Sequence, residues 1–236
     1  MRDVMAKVAT RIRQEGVWRT AAFIFNRLIG QRVILAADRI SEAWHEWRLG
    51  IETSGRIAPD ERGIGDADSK AYEESDYAGL KNVFSSLDIR EDRDVFLDMG
   101  SGKGRAVIMA ATFGFRKVIG VELSPELAVL AERNVGRARK HLRCTQIKLI
   151  AANAADYRLP DDVTVVYFFN PFVGKTLIRV FENIRQSLVR SPRRLTVIYH
   201  NITQCSAEMS TVTWLRRHAE FSSRKGSGYV VYEATV

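Results

Sequence analysis

Residues 98–104 combine an acidic side chain with three closely spaced glycines, in the order Asp-Met-Gly-Ser-Gly-Lys-Gly. Glycines at this spacing let the backbone turn sharply and let a ligand approach where a Cβ atom would clash. A dinucleotide-binding G-x-G-x-x-G pattern fails in both registers, because Arg105 or Val107 stands where the third glycine should be. A nucleotide-binding P-loop fails as well, since Lys103 is followed by Gly104 and not by Ser or Thr. The spacing therefore indicates a backbone cradle for a ligand of a different chemical class.

A second acidic residue, Glu122, follows 24 positions after Asp98, at the end of the next predicted strand. In a doubly wound α/β sheet, ligands bind outside the carboxyl ends of the strands. Two carboxylates at that edge suit a ligand with ribose hydroxyls and with ammonium or sulfonium charges. They would repel the pyrophosphate of a dinucleotide. The two acids thus favour a cationic ligand over a dinucleotide at this edge of the sheet.

The segments that must position these residues alternate between strands and helices. Short apolar runs predict strands, and the amphipathic stretches between them predict helices. The last two strands flank the turn residues 225–228 and predict an antiparallel hairpin. We expect strands at 94–98, 117–122, 146–150, 163–169, 195–200, 211–221 and 229–235, with helices at 75–87, 105–113, 125–141 and 175–189. This order predicts an α/β fold, with a doubly wound, mostly parallel seven-stranded sheet and an antiparallel C-terminal hairpin.

With these motifs in this order, residues 77–236 resemble the class I (Rossmann-like) S-adenosylmethionine-dependent methyltransferases. The glycine run resembles the family's first motif, and Val-Glu-Leu-Ser at 121–124 resembles the second-strand motif, whose acid accepts hydrogen bonds from the ribose. Ala-Asn-Ala-Ala-Asp at 152–156 is similar to the loop that holds the adenine. The resemblance implies a methyltransferase that uses S-adenosyl-L-methionine. It also implies that the cofactor is bound by Asp98, Gly100, Ser101, Gly102, Gly104, Glu122, Asn153, Ala154 and Asp156.

Residues 94–134 are also similar to the non-SET lysine methyltransferases and their bacterial relatives. The similarity lies in Gly-Ser-Gly-Lys-Gly-Arg and in Gly-Val-Glu-Leu-Ser-Pro-Glu-Leu. It implies a protein lysine side chain as the favoured methyl acceptor, and a tyrosine upstream of the glycines, for which Tyr72 and Tyr77 are the candidates. The run 169–172, Phe-Asn-Pro-Phe, differs from that of adenine and glutamine methylators, which carry a second proline before the aromatic residue.

Methyl transfer from a sulfonium is an in-line displacement that needs positioning and, for a nitrogen nucleophile, loss of a proton before attack. The candidates for facing the methyl group are Asn170 at the end of the fourth strand, His200 at the end of the fifth and Tyr77 in the preceding helix. A structural role is the alternative for each residue. Asn170 would then end a strand in a turn, and His200 would be a packed imidazole.

The 236 residues fit one large α/β domain with a helical extension. We expect basic amphipathic helices at 1–50, a linker or loop at 51–74 and the methyltransferase domain at 75–236. The two cysteines form no Cys-x-x-Cys pair, which predicts no metal site and indicates a reducing, cytoplasmic compartment. No stretch of about 20 apolar residues predicts a transmembrane segment.

The net charge of +8 is concentrated in residues 1–31 and 134–148. Such a basic excess permits RNA, an anionic membrane surface or an acidic protein as a partner. The first fifty residues also carry Trp18, Phe23, Phe25, Trp44 and Trp47, an arrangement that suits docking on the domain or peripheral contact with a membrane. We expect docking, because acidic residues interrupt the second helix and an anionic surface would repel them.

The sequence therefore leaves three chemical classes of methyl acceptor open. A protein side chain is favoured, and structured RNA or a small molecule is the alternative. A different kind of function is also possible to derive from these residues, namely a non-catalytic basic binding module that keeps a methyltransferase fold. The presence of Asp98, Gly100, Gly102 and Glu122 together favours an enzyme over that module.

Overall fold

The computed structural model describes residues 10, 16–18, 36–58, 68, 70–223 and 228–234, and for residue 204 the backbone alone. The chain divides into two compact units, Met1–Trp44 and His45–Val236. Among the described residues of the N-terminal part, 36–49 form a helix, α1. Most of the predicted first helix, with Phe23 and Phe25, lies outside the described residues. In the second unit, Leu49 and Ile51 are buried in the core, whereas Trp47 on the opposite side of the helix end is 80% exposed.

A seven-stranded sheet in the order β3-β2-β1-β4-β5-β7-β6 forms the centre of the second unit. Its strands are β1 Val95–Met99, β2 Lys117–Glu122, β3 Ile147–Ala151, β4 Val165–Phe169, β5 Thr196–His200, β6 Leu215–Ser222 and β7 Gly228–Ala234. Strands β1 to β5 pair in parallel, and β7 pairs antiparallel with both β5 and β6. The predicted fold class is confirmed. The order reverses at β1, so the carboxyl ends of β1 and β4 flank the crevice where such sheets bind ligands.

The helices begin where the sequence supplies a cap. Asp76 caps α2 by accepting a hydrogen bond from the backbone N–H of Gly79, and Ser124 caps α4 in the same way. Pro125 occupies the first turn of α4, where its missing N–H costs nothing. The helices after α1 are α2 Tyr77–Ser86, α3 Arg105–Thr112, α4 Pro125–Ala138, α5 Gly174–Arg190 and the short α6 Ser206–Ser210, which the sequence pattern did not predict.

Two hydrophobic clusters cover the two faces of the sheet. Helices α2, α3 and α4 lie on one face, where Phe84 packs edge-on against Phe96 of β1. Helix α5 lies on the other face, where Phe181 packs against Phe168 of β4. All five residues of β1 are buried, because β1 is central and both of its faces are covered.

The C-terminal hairpin completes the sheet. Strand β6 is an edge strand whose solvent side carries Arg216, Arg217 and His218, and a bulge between Arg217 and Ala219 interrupts its pairing with β7. The strand expected at 211–221 begins at Leu215, because the residues before it form a turn after α6. Within the described part of the chain, no helix is long and apolar enough to cross a membrane.

Candidate functional site

The glycine loop is fixed to the end of β2 by its own backbone. The N–H groups of Gly100 and Ser101 both donate to the carbonyl of Val121, at 2.8 and 3.0 Å. Gly100 has a φ of +87°, and a Cβ atom there would overlap the ring of Pro171. Gly102 has a φ of +53°, and a Cβ there would overlap the ring of Tyr72. Both positions thus require glycine for backbone conformation and for close packing.

Two carboxylates flank this loop, one at the end of β1 and one at the end of β2. Glu122 accepts hydrogen bonds from the backbone N–H groups of Gly102 at 2.8 Å and Ser124 at 2.9 Å, so its carboxylate ties the glycine loop to the end of β2. Asp98 is 3% exposed, and among the residues that the structure describes its carboxylate has no hydrogen bond or ion pair. Burial, and then the neighbouring charge of Glu122, raise the pKa of Asp98 well above its usual range. A cation bound beside this pair would relieve the repulsion.

A cleft with about 790 Å³ of open space, solvent at its mouth included, lies above these residues. It brings together six of the nine residues predicted to bind the cofactor, namely Asp98, Gly100, Ser101, Glu122, Asn153 and Ala154. Gly102 and Gly104 lie in the loop but do not line the cleft, and Gly104 packs against Ala131 of α4. Asp156 does not reach it, because its exposed carboxylate pairs with Arg179 at 2.9 Å. Asn153 rather than Asp156 is therefore the polar side chain of the third-strand loop that lines the cleft.

The three predicted methyl-facing residues do not line the cleft. Tyr77 is fully buried beneath the guanidinium of Arg105, which lies 4.2 Å from the centre of its ring. His200 is 1% exposed, and its ring is stacked between Phe169 at 4.0 Å and Tyr229 at 3.9 Å. Both residues therefore lie behind the cleft wall.

Asn170 ends β4 in a left-handed conformation, with a φ of 41°. Its Oδ1 atom is buried and has no hydrogen-bond partner among the described residues. Its neighbours Phe169, Pro171 and Phe172 line the cleft on both sides of it. An unsatisfied buried carbonyl costs about 1–3 kcal/mol, so this atom is a ready acceptor for a donor that enters beside it.

Residues upstream of α2 supply a wall that the sequence pattern did not identify. Residues 70–75 line the cleft, and the ring of Tyr72 covers Gly102. The hydroxyl of Tyr72 donates to the carbonyl of Thr53, and its backbone pairs with Ile57. Burial raises the pKa of Tyr72, so its hydroxyl stays protonated and available as a donor. Of the two upstream tyrosines considered, Tyr72 is the one at the cleft.

Arg105, the first residue of α3, fastens this wall to the glycine loop. Its buried guanidinium donates to Thr53 Oγ1 at 2.7 Å, to Ser54 Oγ at 2.9 Å and to the carbonyl of Ser75 at 2.8 Å. It also forms an ion pair with Glu46 of α1 at 3.1 Å. Burial acts to raise the pKa of Glu46, but hydrogen bonds from Thr53 and the charge of Arg105 together lower it. The contacts of Arg105 span more than 50 residues of sequence, so no local pattern could have predicted them.

Comparison with known proteins gives a family-model match to part of the chain and solved structures with a similar fold. The family model described as "Histone methylation protein DOT1" matches residues 66–164. No curated protein matches the chain significantly. Among solved structures, the chain is similar to the PH0226 protein from Pyrococcus horikoshii OT3, with 15% identity and a TM-score of 0.52 over 66% of this chain and 88% of that one. It is also similar to a variant of MtNAS in complex with S-adenosylmethionine, with 18% identity and a TM-score of 0.51 over 66% of this chain and 60% of that one.

The residues of the cleft fit S-adenosylmethionine. Asp98 and Glu122 offer two carboxylates to a ligand that carries an ammonium, a sulfonium and two ribose hydroxyls. The glycine loop leaves room for close approach of the ligand to the backbone, and Asn153 and Ala154 line the position implied for the adenine. Among the described residues no cluster of three or more His, Cys, Asp or Glu side chains could hold a metal ion.

Proposed function

We propose that this S-adenosylmethionine-dependent methyltransferase, a class I enzyme, transfers its methyl group to the amine of a protein lysine side chain. The observation that carries the proposal is the match of residues 66–164 to the family model for histone methylation. That range contains the wall at 70–75, the glycine loop and both carboxylates. The similarity thus covers the residues that form most of the cleft.

The charge at the cleft also supports a cationic acceptor. Glu74 and Glu73, which forms an exposed ion pair with Arg56 at 3.1 Å, line the cleft in addition to the two carboxylates beneath it. The lining has two basic residues, Lys70 and Arg105, and the guanidinium of Arg105 is engaged by Glu46. A lysine ammonium approaching this acidic cleft would be attracted by it, whereas a nucleic acid phosphate would be repelled.

Different residues of the cleft would have different roles in the reaction. When bound, S-adenosylmethionine supplies the electrophilic methyl group. Asp98 and Glu122 would hold its cationic and ribose parts, and Asn153 would lie on the adenine side. Tyr72 and the rest of the wall at 70–75 exclude water from the glycine loop. Phe169 and Phe172 form the apolar side of the cleft, against which the aliphatic stem of a lysine would pack.

The basic surface at 134–148 gives RNA less support. Arg137 forms an ion pair with Glu52 at 2.8 Å, and Arg143 pairs with Glu91. These ion pairs neutralise part of the positive charge with which the segment could bind phosphates. Structured RNA and a small molecule are thus the acceptors that the experiment below has to exclude.

The test is a methylation assay with tritiated S-adenosylmethionine and a cell extract split into two parts, one treated with ribonuclease and one with protease. We expect label in protein of the first part, recovered as methyllysine after acid hydrolysis. Glu122→Ala should abolish labelling, and the matched variant Glu132→Gln, at an exposed position of α4, should retain it. Label confined to RNA or to small molecules would overturn the proposal.

Two expectations from the sequence remain proposals. We place the chain in the cytoplasm, supported by two buried cysteines without a disulfide, Cys144 and Cys205. We also propose that residues 1–50 are an extension of a catalytic domain at 75–236, joined to it by 51–74. Peripheral membrane contact through residues 1–50 is the alternative to docking, and sedimentation with anionic vesicles of the full chain distinguishes them.

A further inference from the structure

A chain of hydrogen bonds leads from the cleft to the buried imidazole of His200. Ser75 and Tyr167 both line the cleft. Their hydroxyl oxygens lie 2.6 Å apart, and the hydroxyl of Tyr167 lies 3.3 Å from Nδ1 of His200. The carbonyl of Ser75 is held by Arg105, so the first member of the chain is fixed in place. Three side chains from three different parts of the sequence therefore form one connected route.

The surroundings favour donation from Tyr167 to His200. Burial raises the pKa of Tyr167 well above its usual range, so its hydroxyl keeps its proton. Stacking between Phe169 and Tyr229 fixes the plane of the His200 ring. A hydroxyl that keeps its proton and an imidazole fixed beside it make a donor and an acceptor, when the proton of the imidazole is on Nε2.

Charged groups face this route from several elements. Asp98 of β1, Asp76 at the cap of α2 and Arg105 of α3 all act on Tyr167. Tyr229 of β7, which stacks on His200, donates its hydroxyl to Asp76 at 3.0 Å. Phe169 and Tyr229 stack on the two faces of the His200 ring.

We propose that His200 accepts, through Ser75 and Tyr167, the proton that an amine acceptor must lose before methyl transfer. The inference rests on the proposed function, because it requires an acceptor that arrives as an ammonium group. His200 touches neither the acceptor nor the cofactor, so it acts through the two hydroxyls.

The step balances in protons and electrons. One N–H bond of the ammonium breaks and its proton passes to Ser75, while Ser75 gives its own proton to Tyr167 and Tyr167 gives its own to Nδ1 of His200. The freed lone pair of the amine then forms the new N–C bond, and the C–S electron pair stays on sulfur. The products are a methylated ammonium, S-adenosylhomocysteine and an imidazolium, which returns its proton to water by the reverse route after release.

The first test needs no acceptor. Protein labelled with ¹⁵N-histidine gives the tautomer and the protonation state of each ring, and His200→Gln identifies the signal of His200. We expect Nδ1 of His200 to be unprotonated at pH 8.5 and to gain a proton as the pH falls to 5.5. Tyr167→Phe should shift the Nδ1 resonance of His200 and leave the resonances of the exposed His218 unchanged. The signal of His218, identified with the variant His218→Gln, is therefore the control. A proton on Nδ1 throughout this range, or no titration at all, would overturn the proposal.

The second test uses the acceptor found by the methylation assay. Tyr167→Phe keeps the packed ring, and we expect it to slow single-turnover methylation about 100-fold near pH 7 without changing the Kd for S-adenosylmethionine. The loss should shrink as the pH approaches about 10.4, where lysine loses its proton to solvent. A loss that is equal at all pH values contradicts the route while leaving the proposed function intact. If no protein is methylated, the proposed function fails, and the spectra of His200 still decide the route.

Discussion

The glycine loop and the wall that covers it are held by different kinds of contact. The loop is fixed by backbone hydrogen bonds to Val121 and by the carboxylate of Glu122, all within about 25 residues of sequence. The wall at 70–75 is fixed by backbone pairing of Tyr72 with Ile57 and by the guanidinium of Arg105, which bonds the carbonyl of Ser75 and also reaches Glu46 and Thr53. The loop therefore depends on contacts within one short stretch of sequence, and the wall depends on contacts with distant segments.

Substitutions at the loop should therefore change mainly ligand binding, whereas substitutions at Arg105 should change mainly the stability of the fold. A change at Glu122 removes contacts to the ligand and the hydrogen bonds that position the loop, and it leaves the hydrophobic core intact. A change at Arg105 leaves buried partners unsatisfied in three segments at once, because its donors are shared among α1, residues 53–54 and Ser75. Substitutions in the two regions should thus affect different measurements.

Arg105→Met should lower the free energy of unfolding by about 3–5 kcal/mol, because it leaves the partly buried carboxylate of Glu46 without its cation. Urea unfolding followed by circular dichroism measures the change. Arg116→Met is the matched control. Its ion pair with Asp162 is about one-third exposed, and the loss there should stay below about 1 kcal/mol. Equal losses in the two variants would show that Arg105 does not fasten the wall.

Glu122→Ala should weaken binding of S-adenosylmethionine by at least about 2–3 kcal/mol, the value of two hydrogen bonds to a charged acceptor, because it also removes the two hydrogen bonds that position the loop. Isothermal titration calorimetry gives the Kd, and an unfolding curve shows whether the effect is confined to binding. The same titration with NAD should give no heat. Heat from NAD together with none from S-adenosylmethionine or S-adenosylhomocysteine would refute the assignment of the cleft.

The affinity for S-adenosylmethionine should rise with pH through the range in which Asp98 ionises, by at most tenfold per pH unit. The pKa of Asp98 is raised by burial and by Glu122, so the acid is neutral at low pH and attracts the cationic ligand only once it has lost its proton. Binding must then release protons, which calorimetry detects as a dependence of the heat on the buffer. Asp98→Asn should remove this dependence, and its persistence in the variant would assign the titration to another group.

The smallest effect is expected at the basic surface. If Arg139 and Lys140, which are exposed, contact single-stranded RNA, log K should fall by about 0.7 for each contacted phosphate per log unit of salt. A filter-binding assay with and without the double substitution to Gln measures this slope. Because we favour a protein acceptor, we expect a flat response, and a steep slope that the double substitution reduces would make RNA the better acceptor.

The sequence predicted what depends on near neighbours in the chain. The sheet, the cap of α4 and the positions of Asp98 and Glu122 at adjacent strand ends follow from period, capping and spacing. The sequence predicted several cofactor-side residues of the cleft, such as Asp98 and Asn153, but not that Ser75 and Tyr167 line it in place of the expected methyl-facing residues. His200 ends its strand as expected, but Tyr167 lies between it and the cleft. Tyr77, one of the two candidate tyrosines upstream of the glycines, lies beneath Arg105, and the sequence pattern could not predict this contact with a residue 28 positions away.

Strand β7 follows β6 in the chain and yet lies between β5 and β6 in the sheet. On a ribosome, β6 therefore has no neighbour to pair with until β7 has been synthesised, and the two then form a hairpin within about 1–10 μs. When that hairpin pairs with β5, Tyr229 stacks on His200 and its hydroxyl bonds Asp76. The packing around His200 is therefore completed last. A nascent chain that stops short of residue 228 would hold the glycine loop and both carboxylates but would leave the imidazole uncovered. Cofactor binding and a protected His200 should consequently be acquired at different times during synthesis.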